Sequence, residues 1–284
     1  MLNAKIKGLK RSLSIVMIVI VAIATQSCKK SINEEISPQT NVEELRQFVA
    51  NSTGMALEKV VYSAAEKTFV VDNDGLISLS DAELRFKNAP SSETSGAYRT
   101  QQRSYSYLVS AAKAGNITVY ADATVPADWV ASVDNAIANW NSSGSSIHMT
   151  RVTSNGTTTT TTNGKGRKKT TTTTTTGAAD IVVTTTYDAA TSAVATTYYP
   201  SYSGLPGRQF TINTFYNSLG IANKIFASTH ELGHAIGFTH TDGSYGTIIP
   251  GTPQYEAGSI MNSIVSSWVT FTQNDLLAVR TLYP

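Results

Sequence analysis

The chain has 284 residues, of which 41% are hydrophobic, 15% charged and 8% aromatic. This length corresponds to about two domains at ~150 residues each, so a sizeable core is available. The low charged fraction excludes a charge-rich disordered chain, and no apolar run approaches the ~20 residues of a membrane-spanning helix, which excludes a polytopic membrane protein. The formal charge is +2, but the chain beyond the first 27 residues contains 18 positive and 20 negative side chains. Without a basic excess we expect no nucleic acid as the main partner.

The first 27 residues predict an export signal. A basic start precedes the apolar run LSIVMIVIVAIA from Leu13 to Ala24, and Ser27 and Cys28 follow it. The run has the length of the apolar region of a signal peptide, ~7 to 15 residues, and is short for a membrane span. The alternative is a permanent membrane anchor. Cys28 is the only cysteine, so the chain has neither an internal disulfide nor a cysteine-based zinc site.

The junction of Ser27 and Cys28, followed by two lysines, resembles the lipobox of bacterial lipoproteins. That resemblance implies that Cys28 is lipidated and becomes the mature N-terminus of an exported lipoprotein of the cell envelope, at the outer membrane or cell surface. Several acyl chains, at ~0.8 kcal/mol per buried methylene, hold a protein at a membrane without a spanning helix. The alternative is a secreted protein with an incidental free thiol.

The composition divides the chain into a signal peptide (1–27), a tether with an N-terminal pro-region or linker (28–115) and an α+β domain (116–284). The middle segment is polar, with helical patterns around 42–50 and 80–86 and a strand-like run at 68–71. A turn is expected at Asn73, Asp74 and Gly75, because these residue types favour turns.

The pattern after Gly115 alternates between strands and helices. Strands are predicted at 116–120, 147–152, 179–185, 193–199 and 209–215, and helices at 126–140, 221–238 and 272–282. A Thr-rich insertion at 154–177 is expected to be a solvated loop because of its low complexity. We therefore predict a mixed, twisted sheet of about five strands with a few helices, which is an α+β fold.

Three of the four histidines lie in the segment HELGHAIGFTH, from His230 to His240. His230 and His234 are four residues apart, so on a helix both rings project from one face and reach an ion at the ~2.0 to 2.1 Å of zinc–nitrogen bonds. Gly237 accepts a left-handed conformation, which lets the helix stop and the chain bring His240 as a third ligand. Three neutral imidazoles leave one zinc position open for water, whose pKa falls towards ~7. Glu231 is placed to accept the proton of that water.

Chance is a poor explanation of this segment. The five fixed positions of HExxHxxGxxH arise about once in 100,000 chains of this length at average residue frequencies. His148, by contrast, stands alone on a predicted strand. We interpret it as a packing or surface histidine and assign it no role.

The segment HELGHAIGFTH matches the extended zinc-binding motif of the metzincin metallopeptidases. The downstream sequence GSIMNS is similar to the metzincin Met-turn, in which Met261 forms a hydrophobic floor under the metal site. The sequence HTD at 240–242 and IPGTP at 249–253 resemble one metzincin group, the dual-action HEIGH metallopeptidases, with Leu232 in place of an isoleucine. Asp242 is an acid behind the ligands, a loop anchor or a solvated aspartate. The resemblance extends from about Phe69 to the C-terminus.

The resemblance implies a metzincin-like domain with an active-site helix, a Met-turn and a C-terminal helix. It also implies a zinc-dependent endopeptidase that hydrolyses peptide or protein substrates, with Zn²⁺ held by His230, His234 and His240 and with Glu231 as general base. In metzincins an edge strand pairs antiparallel with the substrate, and 193–199 is the candidate here. The alternatives are a non-catalytic zinc-binding surface lipoprotein or adhesin, and a zinc hydrolase that acts on another class of substrate.

Latency by a cysteine near the zinc is excluded, because Cys28 is the only cysteine and is assigned to lipidation. An aspartate of the pro-region, Asp72 or Asp74, is the alternative cap for the metal. The competing interpretation of both aspartates is simple turn chemistry.

Overall fold

The structure is a computed structural model and describes residues 41–88, 102–163, 170–243, 246–253, 256 and 258–284. The predicted signal peptide and Cys28 lie outside the described residues. Among the helices within these ranges, none combines the length and the apolar character that a membrane span requires.

The described chain contains six α-helices and thirteen strands. The helices are α1 (Val42–Thr53), α2 (Leu79–Asn88), α3 (Ala111–Ala114), α4 (Ala127–Asn141), α5 (Ile221–Ile236) and α6 (Gln273–Leu282). The strands are β1 (Val60–Ser63), β2 (Thr68–Val71), β3 (Gly75–Ser78), β4 (Arg103–Ser104), β5 (Ile117–Ala121), β6 (Met149–Val152), β7 (Thr157–Asn163), β8 (Thr170–Thr176), β9 (Ile181–Thr186), β10 (Ala195–Tyr198), β11 (Gln209–Asn213), β12 (Phe238–Thr239) and β13 (Thr247–Ile248). The predicted α+β class is confirmed.

The main sheet is mixed, with the strand order β1-β2-β3-β10-β11-β9-β5-β6. Strands β11, β9, β5 and β6 run parallel to one another, β11 is antiparallel to β10, and β5-α4-β6 forms a βαβ unit. Two short sheets accompany it, one of β12, β4 and β13 and one of β7 and β8.

The main core lies between this sheet and the helices α4 and α5. The strands bury alternate β-branched residues, such as Ile181 and Val183 of β9, because successive side chains point to opposite faces. Trp129 and Trp140 of α4 and Leu232 of α5 belong to the same buried cluster. This packing fixes α5, which carries the histidine motif, against the sheet.

The region from 42 to 88 contributes three strands to the main sheet. Strands β1, β2 and β3 form an antiparallel meander, and β3 pairs in parallel with β10. A second core holds α1 and α2 against the meander, with Leu45, Phe69 and Ile77 fully or almost fully buried. The sheet therefore has eight strands where about five were predicted, because the sequence pattern did not show that this region continues the same sheet.

The prediction of a loop for the Thr-rich insertion is wrong. The backbones of β7 and β8 pair antiparallel, from Thr157 opposite Thr176 to Asn163 opposite Thr170. Threonine is β-branched and favours extended backbone, so two matched threonine tracts can form a hairpin despite their low complexity.

Candidate metal centre

Helix α5 and the turn that ends it position the three histidines. His230 and His234 lie one helical turn apart on α5 and are 5% and 0% exposed. Gly237 ends the helix with φ 107°, in the left-handed region that a side chain would disfavour. The chain then turns back and places His240 beside the first two rings, also buried. The structure thus brings together the three predicted ligands.

Backbone carbonyls fix the orientation of the two helical rings. Nδ1 of His230 lies 2.8 Å from the Ile260 carbonyl oxygen, and Nδ1 of His234 lies 2.8 Å from the Phe238 carbonyl oxygen. Because a carbonyl only accepts a hydrogen bond, Nδ1 of each ring carries the hydrogen. The lone pair of each Nε2 is therefore free to face the centre of the site.

The three Nε2 atoms converge at the spacing of a metal centre. Nε2 of His240 lies 3.2 Å from Nε2 of His230 and 3.2 Å from Nε2 of His234. Two nitrogens on a tetrahedral zinc ion are about 3.3–3.4 Å apart, given zinc–nitrogen bonds of ~2.0 to 2.1 Å. Buried lone pairs that face one another repel, and a cation between them removes that repulsion. The donor set therefore fits zinc.

A carboxylate completes the cluster from the N-terminal part of the chain. Asp74 follows β2 in the turn before β3, and its Oδ2 lies 3.1 Å from Nε2 of His240 and 3.8 Å from Nε2 of His230. Its Oδ1 lies 3.6 Å from Nε2 of His234. The four side chains offer one ligand atom each, all within 4.8 Å of one another. The structure places Asp74 where a fourth ligand would lie.

Asp72, two residues earlier, supports the third histidine from behind. Its Oδ2 lies 3.0 Å from Nδ1 of His240. Asp72 and Asn73 have φ values of 49° and 84°, a left-handed turn that aspartate and asparagine tolerate better than most residues. This turn directs both Asp72 and Asp74 towards His240.

The charges of the cluster depend on one another. Burial and the neighbouring His230 lower the pKa of His234 to about 4. Burial opposes protonation of His240 too, but the carboxylates of Asp74 and Asp72 raise the pKa of His240 to about 10. Burial alone would raise the pKa of Asp74, yet the positive charge of His240 and the contacts of the carboxylate with the histidine rings hold this pKa well below its usual value. A cation at the centre would replace the proton of His240.

Glu231 lies next to the first ligand and is 3% exposed. Burial, together with the negative charge of Asp74, raises the pKa of this carboxyl well above its ordinary value. Glu231 Oε2 and Asp74 Oδ1 are buried atoms with no hydrogen-bond partner among the described residues. Both atoms therefore retain the capacity to bind a cation or a proton.

The predicted Met-turn lies directly beneath the helix. Met261 is 1% exposed, and a Cβ built on Gly233 would stand 2.4 Å from its sulfur. Gly233 thus allows the close approach of helix and turn. Asp242 accepts hydrogen bonds from Ser263, from the backbone N–H at 3.0 Å and from the hydroxyl at 2.6 Å. The structure therefore places Asp242 as an anchor of the Met-turn.

Strand β10 is not an edge strand, which corrects the prediction for 193–199. It lies between β11 and β3, because the N-terminal meander occupies its open side. Thr197 pairs with Gly75 and Tyr198 with Leu76 in the parallel direction. A cavity of about 270 Å³ remains beside the metal centre. Its lining includes Val194, Phe226, Ala227, Glu231, Ile264 and Val265.

Sequence reasoning missed Gly233 and a buried polar cluster behind the Met-turn. Gln102, Ser259 and Asp275 are 1%, 2% and 3% exposed and are hydrogen-bonded to one another. The pattern of α6 predicted a helix start near Asp275, but no spacing rule connects it with a turn on another segment. His148, to which no role was assigned, is exposed and lies outside the centre.

The match to a family model agrees with the motif. The family model described as dual-action HEIGH metallo-peptidase matches residues 70–283. Among solved structures, myroilysin is similar at 16% identity and a TM-score of 0.39, over 60% of this chain and 80% of its own. High choriolytic enzyme 1, a hatching enzyme zinc-protease from Oryzias latipes, is similar at 16% identity and a TM-score of 0.36, over 62% of this chain and 93% of its own.

Those TM-scores mark a partial overlap of the folds. No curated protein matches the sequence. The family match, in contrast, covers most of the chain and includes the whole metal centre. The chain therefore belongs to the family of dual-action HEIGH metallopeptidases.

Proposed function

We propose that the protein is a zinc-dependent endopeptidase that stays latent while its N-terminal meander is in place. The observation that carries this proposal is the convergence of three buried Nε2 atoms at 3.2 Å, each with its Nδ1 engaged elsewhere. Such an arrangement favours a bound cation. His230, His234 and His240 would hold the zinc ion, with Asp74 at its remaining position.

Glu231 is the proposed general base and acid. A bound zinc ion supplies Lewis acidity for the scissile carbonyl and lowers the pKa of water towards ~7. The Glu231 carboxylate accepts the proton of the attacking water and passes it to the leaving amine, so one side chain serves both steps.

The N-terminal meander supports latency in two ways. Asp74 stands at the position that water and the substrate carbonyl require. Strand β3 pairs with β10, the strand with which a substrate is expected to pair. Strand β3 runs parallel to β10, whereas a substrate would run antiparallel to it. The meander therefore occupies the place of the substrate beside β10 in the reverse direction, and it is not itself presented for cleavage.

The proposed substrates are proteins or peptides in extended conformation. The side of β10 that now pairs with β3 carries backbone hydrogen-bonding groups, such as the Thr197 N–H that donates to the Asp74 carbonyl oxygen at 2.9 Å. Removal of the meander would free these groups for a substrate main chain. Main-chain pairing favours extended peptides over other hydrolase substrates.

The site of action is proposed to be the cell envelope, with the protein tethered through lipidated Cys28. The support is the lipobox-like sequence around Ser27 and Cys28. Metabolic labelling with a fatty acid should mark the wild-type protein and not the Cys28→Ala variant. A wild-type protein that takes up no label would leave the alternative of a secreted protein or of an uncleaved anchor.

The test of the peptidase proposal compares the purified chain with Glu231→Ala. Zinc content is measured first, and hydrolysis of a casein-type substrate is then measured before and after limited trypsin treatment and trypsin inhibition. Both proteins should hold about one zinc ion, and only the trimmed wild type should cleave, with a loss of about 10²-fold or more in the variant. A chelator should abolish the wild-type activity.

The adhesin alternative predicts a different result. If the trimmed wild type retains zinc but cleaves no peptide in a diverse library, the protein is a zinc-binding surface lipoprotein. If cleavage survives in Glu231→Ala, the assignment of the general base is wrong.

A further inference from the structure

The carboxylate of Asp275 lies behind the Met-turn and is buried without a cationic partner among the described residues. Its Oδ1 accepts hydrogen bonds from the Gln102 amide and the Ser259 hydroxyl, both at 2.6 Å. Its Oδ2 accepts from the backbone N–H groups of Ile260 at 3.2 Å and Thr272 at 2.9 Å. Four donors match the capacity of an ionised carboxylate.

One part of this arrangement belongs to the helix α6 alone. Thr272 and Asp275 form a capping box, in which each side chain accepts a hydrogen bond from the backbone of the other. Of the four hydrogen bonds that the Asp275 carboxylate accepts, the capping box accounts only for the one from the Thr272 N–H. The bonds from Ser259 and Ile260 are additional, and they tie the helix to the Met-turn.

The tie continues to the metal ligands. The N–H of Ile260 donates to Asp275, and the carbonyl of Ile260 accepts from Nδ1 of His230 at 2.8 Å. Ser259, which donates to Asp275, accepts from the N–H of Met261 at 3.0 Å. The carboxylate therefore fixes the backbone at the residue that orients the first histidine.

We propose that Asp275 is a positioning residue for the metal centre, which acts on His230 through the backbone of Ile260. Partners behind a histidine ligand fix its orientation, and their loss typically costs 10–100-fold in metal affinity. The proposal rests on the proposed function only in its choice of zinc as the metal. It assigns to the C-terminal helix a role in metal binding besides its role in packing.

The test measures zinc affinity of the full chain by competition with a chromogenic chelator, and the visible spectrum of the Co²⁺ form. Asp275→Ala should weaken zinc binding about tenfold or more and change the Co²⁺ spectrum. Asp275→Asn should restore most of the affinity, because the amide oxygen can still accept from Ile260 while Gln102 and Ser259 reorient.

Thr272→Ala is the matched control. It breaks the other half of the capping box and should lower stability by about 0.5–2 kcal/mol, but it leaves the bonds from Asp275 to the Met-turn. Its zinc affinity and Co²⁺ spectrum should match those of the wild type. If Asp275→Ala does not fold, Ser259→Ala provides the test, because it removes the hydroxyl that links Asp275 to Met261; its zinc affinity should fall about threefold or more.

Equal zinc affinity and spectra for Asp275→Ala and Thr272→Ala would overturn the proposal. Where Asp275→Ala does not fold, an unchanged zinc affinity of Ser259→Ala would overturn it. Failure of the proposed function is a separate result. A wild-type protein that binds zinc but cleaves no peptide would remove the peptidase assignment and leave the role of Asp275 intact, whereas a wild type without zinc affinity would remove both.

Discussion

The two sides of the metal centre differ in how the chain builds them. The histidine side comes from one helix and the turn after it, so His230, His234 and His240 lie within eleven positions of the sequence. The aspartate side comes from the turn between β2 and β3, and Asp72 meets His240 across 168 positions. Local geometry forms the first side, and packing of the N-terminal meander onto β10 forms the second. We infer that the first side binds the metal and that the second controls access to it.

The largest expected effect comes from removing a histidine. His240→Ala should weaken zinc binding roughly 100-fold or more, because a structural zinc site is worth about 10–16 kcal/mol shared among four ligands. Chelator competition measures the change. His148→Ala alters an exposed histidine outside the centre and should leave the zinc affinity unchanged. Equal zinc affinities for the two variants would contradict the assignment of His240 as a metal ligand.

Removing the negative charge of Asp74, the proposed cap of the metal, should raise the peptidase activity of the intact chain. Asp74→Asn should raise peptide hydrolysis by the untrimmed chain about 10–100-fold, because a charge-assisted contact of ~1.5–3 kcal/mol is lost. Initial rates on a fluorogenic peptide measure the change. Asp122→Asn, on a loop after β5 where the carboxylate accepts from the Thr124 N–H, is the control and should have no effect. A fall in activity for Asp74→Asn would show that this carboxylate serves catalysis and not latency.

The attachment of the N-terminal region can be weakened without touching the metal centre. Arg85 of α2 is buried, lies 4.6 Å and 4.5 Å from the ring centroids of Tyr105 and Tyr107, and donates to the Pro200 carbonyl oxygen. Arg85→Met should lose about 2 kcal/mol of these contacts.

Limited trypsin digestion should then remove the N-terminal region from Arg85→Met about 30-fold faster than from the wild type, if local opening precedes cleavage. Lys87→Met, which also removes one trypsin site but at an exposed position of the same helix, is the control. Equal digestion rates for the two variants would contradict a role of Arg85 in holding the region.

The smallest expected effect concerns the end of the histidine helix. The buried hydroxyl of Tyr283 donates to the Ile236 carbonyl oxygen and accepts from the Val109 N–H. Tyr283→Phe leaves both buried groups without this partner and should cost about 1–2 kcal/mol of unfolding free energy. Urea titration measures the loss, and Tyr187→Phe, at a residue 70% exposed, should be neutral. A neutral Tyr283→Phe would remove this support from the histidine side.

The difference between local and long-range contacts also determines which features the sequence predicts. Helices α4, α5 and α6 and the strands β5, β6, β9, β10 and β11 follow from hydrophobic periodicity, which is a local property. The spacing of His230, His234 and His240 likewise requires only helix geometry and a glycine at Gly237. The turn at Asn73 and Asp74 was predicted from its residue types, but its position at the metal was one of two open interpretations.

The remaining features depend on contacts between distant segments. The parallel pairing of β3 with β10 cannot be predicted from the sequence of either strand, because an edge strand and an interior strand of this length have similar hydrophobic patterns. The link from Asp275 to Ile260 joins a helix cap to a turn, and the cap alone explains the local sequence. The two threonine tracts pair because threonine favours extended backbone, a preference that the low complexity of the segment hides.

The proposed function requires that three histidines and Asp74 hold one zinc ion in the intact chain. Anomalous diffraction at the zinc edge, from crystals of the untrimmed protein, tests it directly. We expect a single zinc peak within ~2.0 to 2.2 Å of Nε2 of His230, His234 and His240 and of a carboxylate oxygen of Asp74. A peak bound by the three histidines and water, with Asp74 turned away, would contradict the proposed cap. A peak elsewhere would contradict the metal centre itself.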